Sequence, residues 1–176
     1  YGVPIFTNSE GLHTNAVFGF LNIMFKIIDS KQPDYMAVAF DVHQPTFRHE
    51  MFKDYKGTRK PMMEELREQV PVIKELLQKM NITTVELPGY EADDVIGTLS
   101  KKGEKAGMEV DVISGDRDLL QLASDHITIC IPKTKKGQTT VEEYNTEGVR
   151  KLYKVTPTEF IDVKALMGDS SDNIPG

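Results

Sequence analysis

The chain has 176 residues, 39% of them apolar and 27% charged, which fits one soluble domain with a sizeable core. A single cysteine excludes an internal disulfide and suits a reducing compartment, and no apolar run approaches the ~20 residues a membrane helix needs. The net charge of −6 argues at first sight against a polyanionic partner, but eight carboxylates gathered in four short clusters outweigh it, so the local distribution of charge decides.

In chain order, residues 13–31 carry Val17, Phe20, Leu21, Met24, Ile27 and Ile28 at helical spacing, and Pro33-Asp34 ends that helix. Residues 36–40 (MAVAF) form a continuous apolar run ending in Asp41, the pattern of a buried parallel strand. A second helix is expected over 61–80, with Leu66, Val70, Ile73, Leu76, Leu77 and Met80 on one face. A strand over 82–87 and a turn at Pro88-Gly89 lead to a helix over 91–106. A strand over 110–114 precedes a short helix at 116–123, and a strand at 127–131 buries Cys130. Residues 133–138 read as a polar Lys/Gly loop, a hairpin-like excursion. Thr156-Pro157-Thr158-Glu159 has the form of a capping box and opens a helix through Met167. Alternating helices and buried strands predict an α/β fold with a mainly parallel sheet and helices on both faces.

That architecture gives the acidic clusters a place. Asp41 ends one strand, Glu91 opens a helix after another, and Asp116 follows a third by two residues. The carboxyl ends of strands are where open α/β sheets hold ligands. Glu91, Asp93 and Asp94 lie within one turn. An acidic first turn can simply complement the helix dipole, but three acids in four residues favour a cation site. Asp116 and Asp118 flank Arg117, which reads as a salt-bridge partner, and Asp169 and Asp172 follow the stop signal Gly168. Carboxylates packed together repel one another unless cations neutralise them, and oxygen-only ligands suit hard ions such as Mg²⁺ or Mn²⁺. No histidine has a ligand-like spacing. Between the first two clusters, Arg48, Lys53, Lys56, Arg59 and Lys60 interleave with Phe52 and Tyr55, a pattern suited to gripping phosphates and stacking on an unpaired base. A solvated charged face is the plainer reading of such a run.

Taken together and in order, GLHTNAVFGF, AVAFD, FRHEMFKDYKGTRKPM, ELPGYEADDVIGTL, SGDRDLLQL and KALMGDSSDNIPG resemble the 5′ nuclease domain carried by bacterial DNA polymerase I, in the flap endonuclease superfamily. The resemblance implies a three-layer α/β/α resolvase-like (PIN-like) domain that cuts DNA, or RNA paired to DNA, near a displaced 5′ strand during replication and repair. It implies two divalent ions. Asp41, Glu91, Asp93, Asp94 and Asp116 would form the inner set, and Asp118, Asp169 and Asp172 would hold the second ion. Lys56 and Arg59 would act on the scissile phosphate, Tyr55 would stack nearby, and residues 43–65 would form a flexible basic arch. The expected setting is a monomeric module of the bacterial cytoplasm and nucleoid, with a polymerase domain in the same parent chain. Family members begin with a strand bearing Asp-Gly-Asn and continue into a helix-hairpin-helix. Neither is in this sequence, which therefore reads as a fragment. A Mg²⁺-dependent phosphatase using Asp116 and Asp118, and a non-catalytic junction-binding module, are the alternatives.

Overall fold

A computed structural model describes residues 6–135 and 138–176. The chain divides into two compact units. The first comprises residues 1–40, 60–85 and 134–139, and the second residues 41–59, 86–133 and 140–176.

In the first unit, α1 (Asn15–Lys31) stops at Gln32, whose left-handed backbone returns an amide to the Ile28 carbonyl. β1 (Ala37–Ala39) pairs in parallel with β2 (Thr83–Val85), Ala37 opposite Thr83, and the Phe40 amide extends the ladder to the Val85 carbonyl at 3.0 Å. The single helix expected over 61–80 is broken into α3 (Glu64–Arg67) and α4 (Gln69–Lys79). Pro71 explains the break. It lacks an amide, and its ring crowds the carbonyl four residues back, at Arg67. Met24, Ile73 and Leu77 are buried among Val17, Phe20, Leu21, Val38 and Ile82. Gln69 is a buried polar group in this unit. Its Oε1 accepts the Ala16 and Val17 amides at 2.8 and 3.2 Å and so supplies the cap that Thr14 does not.

In the second unit, α2 (Phe47–Met51) lies where the sequence pattern shows no regular element. A capping contact forms it, the Thr46 amide donating to His49 Nδ1 at 3.0 Å. α5 (Ala92–Lys105) follows Glu91, and β3 (Val110–Ile113) pairs in parallel with β4 (Ile127–Lys135). A 3₁₀ turn over Arg117–Leu122 is capped by Asp116, whose carboxylate accepts the Asp118 amide at 2.8 Å. β4 runs further than expected, and β5 (Gln138–Tyr144) lies beside it, so strands flank the hairpin-like excursion expected at 133–138. Lys136 and Gly137 lie outside the described residues. α6 (Thr146–Tyr153), missing from the sequence reading, is capped by Asn145. The capping box before α7 (Glu159–Met167) forms, with the Thr156 amide on Glu159 Oε2 at 2.8 Å and the Glu159 amide on Thr156 Oγ1 at 3.2 Å. Val112, Leu119, Leu120, Ile127, Ile129, Val149 and Phe160 make the core, and Cys130 is fully buried beside them.

A candidate nuclease site lined by carboxylates and cations

A cleft of about 830 Å³ lies within the second unit. All eight candidate carboxylates line it: Asp41, Glu91, Asp93, Asp94, Asp116, Asp118, Asp169 and Asp172. Arg48, Tyr55, Lys56, Arg59 and Lys164 line it as well. Four stretches distant in sequence therefore contribute to one surface. A second hollow, at the start of α6, contains none of these groups.

Local backbone chemistry sets each acid. Asp41 Oδ1 accepts the Ala92 amide at 2.7 Å, satisfying one of the free donors at the start of α5. Asp116 is oriented by its own amide on Ser114 Oγ and by capping Asp118. Asp169 Oδ1 accepts the Ser171 amide and hydroxyl at 2.8 and 2.6 Å, which holds its carboxyl below the usual range. The loop behind it closes on itself, Asp169 and Ile174 exchanging backbone bonds at 2.9 and 2.8 Å. Gly168 makes that closure possible. It has φ +66°, and a Cβ there would stand 2.4 Å from the Gly176 nitrogen.

Electrostatically, Asp93 is the focus. Burial pushes its carboxyl up to about 6, and the neighbouring charges of Asp116, Asp41 and Glu91 push the same way. Such mutual repulsion is what a bound cation would relieve. Among the described residues, no three Asp, Glu, His or Cys side chains are grouped so that they could hold a metal ion as they stand. The donor set is all-oxygen and suits a hard divalent ion that keeps some of its water.

Basic side chains take several of the carboxylates. Lys56 Nζ lies 2.6 Å from Glu91 Oε1, Arg59 pairs with Asp172, and Lys164 Nζ lies 2.8 Å from Asp118 Oδ1. Arg48 forks onto both oxygens of Asp94 at 2.7 Å each, so this pair, expected on DNA and on metal respectively, is joined internally. Tyr55 also departs from expectation. It is 7% exposed and so cannot offer its ring to an unpaired base. Its hydroxyl lies 3.0 Å from Asp172 Oδ2 and 3.2 Å from Glu91 Oε2, and the two carboxylates draw it inward. Lys53 and Lys60 are exposed and lie outside the cleft lining. Arg117 donates to the Tyr153 hydroxyl at 3.0 Å rather than to a carboxylate.

Residues 1–154 match the 5′-3′ exonuclease N-terminal resolvase-like domain family. The chain belongs to this family. It is 53% identical over its full length to DNA polymerase I of Bacillus subtilis and 52% to that of Bacillus caldotenax, and it spans about a fifth of each, 20% of their length. Among solved structures, the bacteriophage T5 protein co-crystallised with metal ions matches with a TM-score of 0.73 and 27% identity, over 90% of this chain and 62% of that one. A T5 flap endonuclease in a pseudo-enzyme-product complex with DNA and metal ions matches with a TM-score of 0.71 and 25% identity, over 94% and 64%. Human GEN1 bound to Holliday junction DNA, at 16% identity and TM-score 0.59 over 99% and 42%, shares the fold.

This cleft contains two cations the sequence reading left unassigned, Lys101, which pairs with Glu104 at 3.0 Å, and Lys164. Its pairing with Asp118 raises its ammonium above the ordinary lysine value. The available signal was modest: a lysine in the last turn of a helix that runs into the acidic loop 169–172.

Proposed function

We propose that the chain is the catalytic module of a divalent-metal-dependent 5′ nuclease that hydrolyses phosphodiester bonds near 5′-flap junctions of DNA, or of RNA paired to DNA. The observation carrying this reading is the cleft itself, where eight carboxylates and the cations Lys56, Arg59 and Lys164 share one wall-to-wall surface. The family membership supports it, and so do the metal ions and DNA in the T5 relatives.

Two Mg²⁺ or Mn²⁺ ions are the proposed cofactors, held by Asp41, Glu91, Asp93 and Asp116 with Asp118, Asp169 and Asp172. Bound there, such ions supply an activated water and neutralise charge on the departing oxygen. The chain's own side chains do the rest. Asp93, flanked by Asp116 and Asp41, must release its proton before it can ligate. Lys56 and Arg59, now resting on Glu91 and Asp172, carry the positive charge that a phosphate entering the cleft would meet. Residues 43–65 serve as the basic arch. We place the module in a bacterial DNA polymerase I, acting as a monomer at the nucleoid, with the polymerase domains in the same chain.

The test is single-turnover cleavage of a 5′-flap duplex by the full-length protein with Mg²⁺. Asp116→Asn should lower the rate at least about 100-fold, the upper end for groups that hold or orient metal ligands, while Asp125→Asn, which lies outside the cleft, leaves it unchanged. Cleavage by Asp116→Asn at the wild-type rate sinks the assignment. Phosphate release from small phosphomonoesters without DNA cleavage would favour a phosphatase instead, and flap binding indifferent to metal a binding module.

A further inference from the structure

The ion pairs of the cleft are not alike. Lys56 and Lys164 each present an ammonium to one carboxylate oxygen. Arg48 and Asp94 instead form a planar two-bond fork, NH1 to Oδ2 and NH2 to Oδ1, both at 2.7 Å. Asp94 Oδ2 also accepts the Glu91 amide at 2.9 Å. A carboxylate offers about four acceptor positions, and three of these are filled from within the chain. Turning Asp94 toward a metal would undo the fork and uncap the helix that carries Glu91 and Asp93.

The surroundings of Arg48 fix it equally firmly. Its guanidinium lies over the Phe47 ring, 4.6 Å from the centroid, and that ring packs on Tyr90 at 5.7 Å. The Phe47 amide donates to the Gly89 carbonyl at 3.2 Å. The short helix α2 is thus fastened to residues 89–94 by a backbone bond, a ring contact and the fork. From α2 the chain runs directly into the residues that reach the acids. The His49 ring meets Tyr55 edge-on at 5.2 Å, and Tyr55 and Lys56 both contact Glu91.

We propose that Arg48 and Asp94 form a positioning clamp, which aligns α2 with the first turn of α5 so that Lys56 and Tyr55 meet Glu91, and that neither residue touches metal or DNA. The inference rests on the nuclease reading above. It predicts that the two residues act as one unit, that charge alone at position 48 is insufficient, and that substrate affinity does not depend on either.

The experiment uses the full-length protein and a 5′-flap duplex, with Arg48→Lys, Arg48→Ala, Asp94→Asn, the Arg48→Lys/Asp94→Asn double variant, and Asp93→Asn for comparison. Single-turnover cleavage, flap affinity at several salt concentrations and divalent-ion affinity are measured for each. A clamp gives a cleavage loss of about 10- to 100-fold in each single variant, as for groups that orient a metal's ligands, with the double variant no worse than the poorer single. Flap affinity and its salt dependence stay at wild-type values. Asp94→Asn binds divalent ions within about threefold of wild type, whereas Asp93→Asn loses at least the tenfold expected at a metal site. Arg48→Lys is the discriminating variant, since lysine preserves a phosphate contact but cannot span two oxygens. Full activity in Arg48→Lys overturns the clamp, and so does a salt slope shallower by about 0.9 in Arg48→Ala, the mark of one lost phosphate contact. Multiplicative losses in the double variant, or an Asp94→Asn that loses metal as Asp93→Asn does, overturn it too. The nuclease reading fails separately, if the wild-type protein cleaves no flap. In that case the coupling between Arg48 and Asp94 is still read from hydrogen exchange at the start of α5.

Discussion

Tyr55→Phe separates the two roles open to this tyrosine. The substitution keeps the ring, with its edge-on contact to His49 and the Lys56 ammonium 5.0 Å from its centroid, and removes only the hydroxyl. That hydroxyl donates toward Asp172 Oδ2 at 3.0 Å and Glu91 Oε2 at 3.2 Å. A hydrogen bond to a charged acceptor contributes about 1.5–3 kcal/mol. The hydroxyl has a single proton, so the two acceptors share it and the loss is that of one bond, about 2 kcal/mol. Both carboxylates keep a cation, Lys56 on Glu91 and Arg59 on Asp172, so neither is left bare.

The loss should appear as easier local opening of residues 55–59. The Lys56 amide donates to the Asp172 carbonyl at 2.9 Å and the Arg59 amide to the Lys56 carbonyl at 3.0 Å, so both report that opening by hydrogen exchange. About 2 kcal/mol corresponds to roughly 30-fold faster exchange at pH 7 in the full-length protein without divalent ions. A change under about threefold would refute the bridging role. If Tyr55 served instead as a base-stacking platform, phenylalanine would stack equally well, and only Tyr55→Ala would weaken flap binding.

Two further outcomes follow from the site and the core. Asp93 ionises only near pH 6, and a metal needs its carboxylate. Divalent-ion affinity should therefore fall about tenfold per pH unit below 6 and level off above it; calorimetry showing a flat profile from pH 5 to 7 would contradict this. The sign for the metal-free fold is opposite to that of a salt-bridged acid. The folded state holds the Asp93 proton more tightly than the unfolded chain, so its contribution favours folding at low pH and is lost as pH rises from 3.8 toward 6. Phe160, 1% exposed and 4.6 Å from the Tyr153 ring centroid, should cost about 3–5 kcal/mol on truncation to alanine, read as a lower urea midpoint for the second unit; a loss under 1 kcal/mol would show the core repacks around it.

The sequence reading reached the elements whose signals are local. α1, α5 and the capping box at Thr156 rest on apolar spacing and on side chains within a turn of one another, and β1 and β3 on short apolar runs. It missed elements whose local signal is weak or mixed. α6 has one buried residue, Val149, in eight, and β5 alternates too faintly to stand out from its polar neighbours. Pro71 was visible, but the pattern of Leu66, Val70 and Ile73 ran straight through it. The acidic clusters were legible for a related reason. Each sits at a strand end, a helix start or a turn, so a short stretch of chain is enough to place it.

Partner choice within the cleft was a different matter. The basic run at 48–60 looked like a phosphate grip because its five cations outnumber the two acids within it, Glu50 and Asp54, and a sequence does not show counterions that arrive from 35 to 113 residues away. Arg48 meets Asp94 and Lys56 meets Glu91 through the packing of α2 on residues 89–94, and the buried Tyr55 places its hydroxyl between carboxylates from two separate stretches. Composition therefore pointed to the acids and cations that line the cleft but could not say which cations are held by internal ion pairs. Geometry makes that division testable. A cation bonded to one carboxylate oxygen, such as Lys56, can be given up to an incoming phosphate at the loss of that bond and one ring contact. A guanidinium forked on two oxygens and stacked on a ring, such as Arg48, would lose both bonds and the stacking contact at once. Lys56 should accordingly be freer than Arg48 to turn toward substrate.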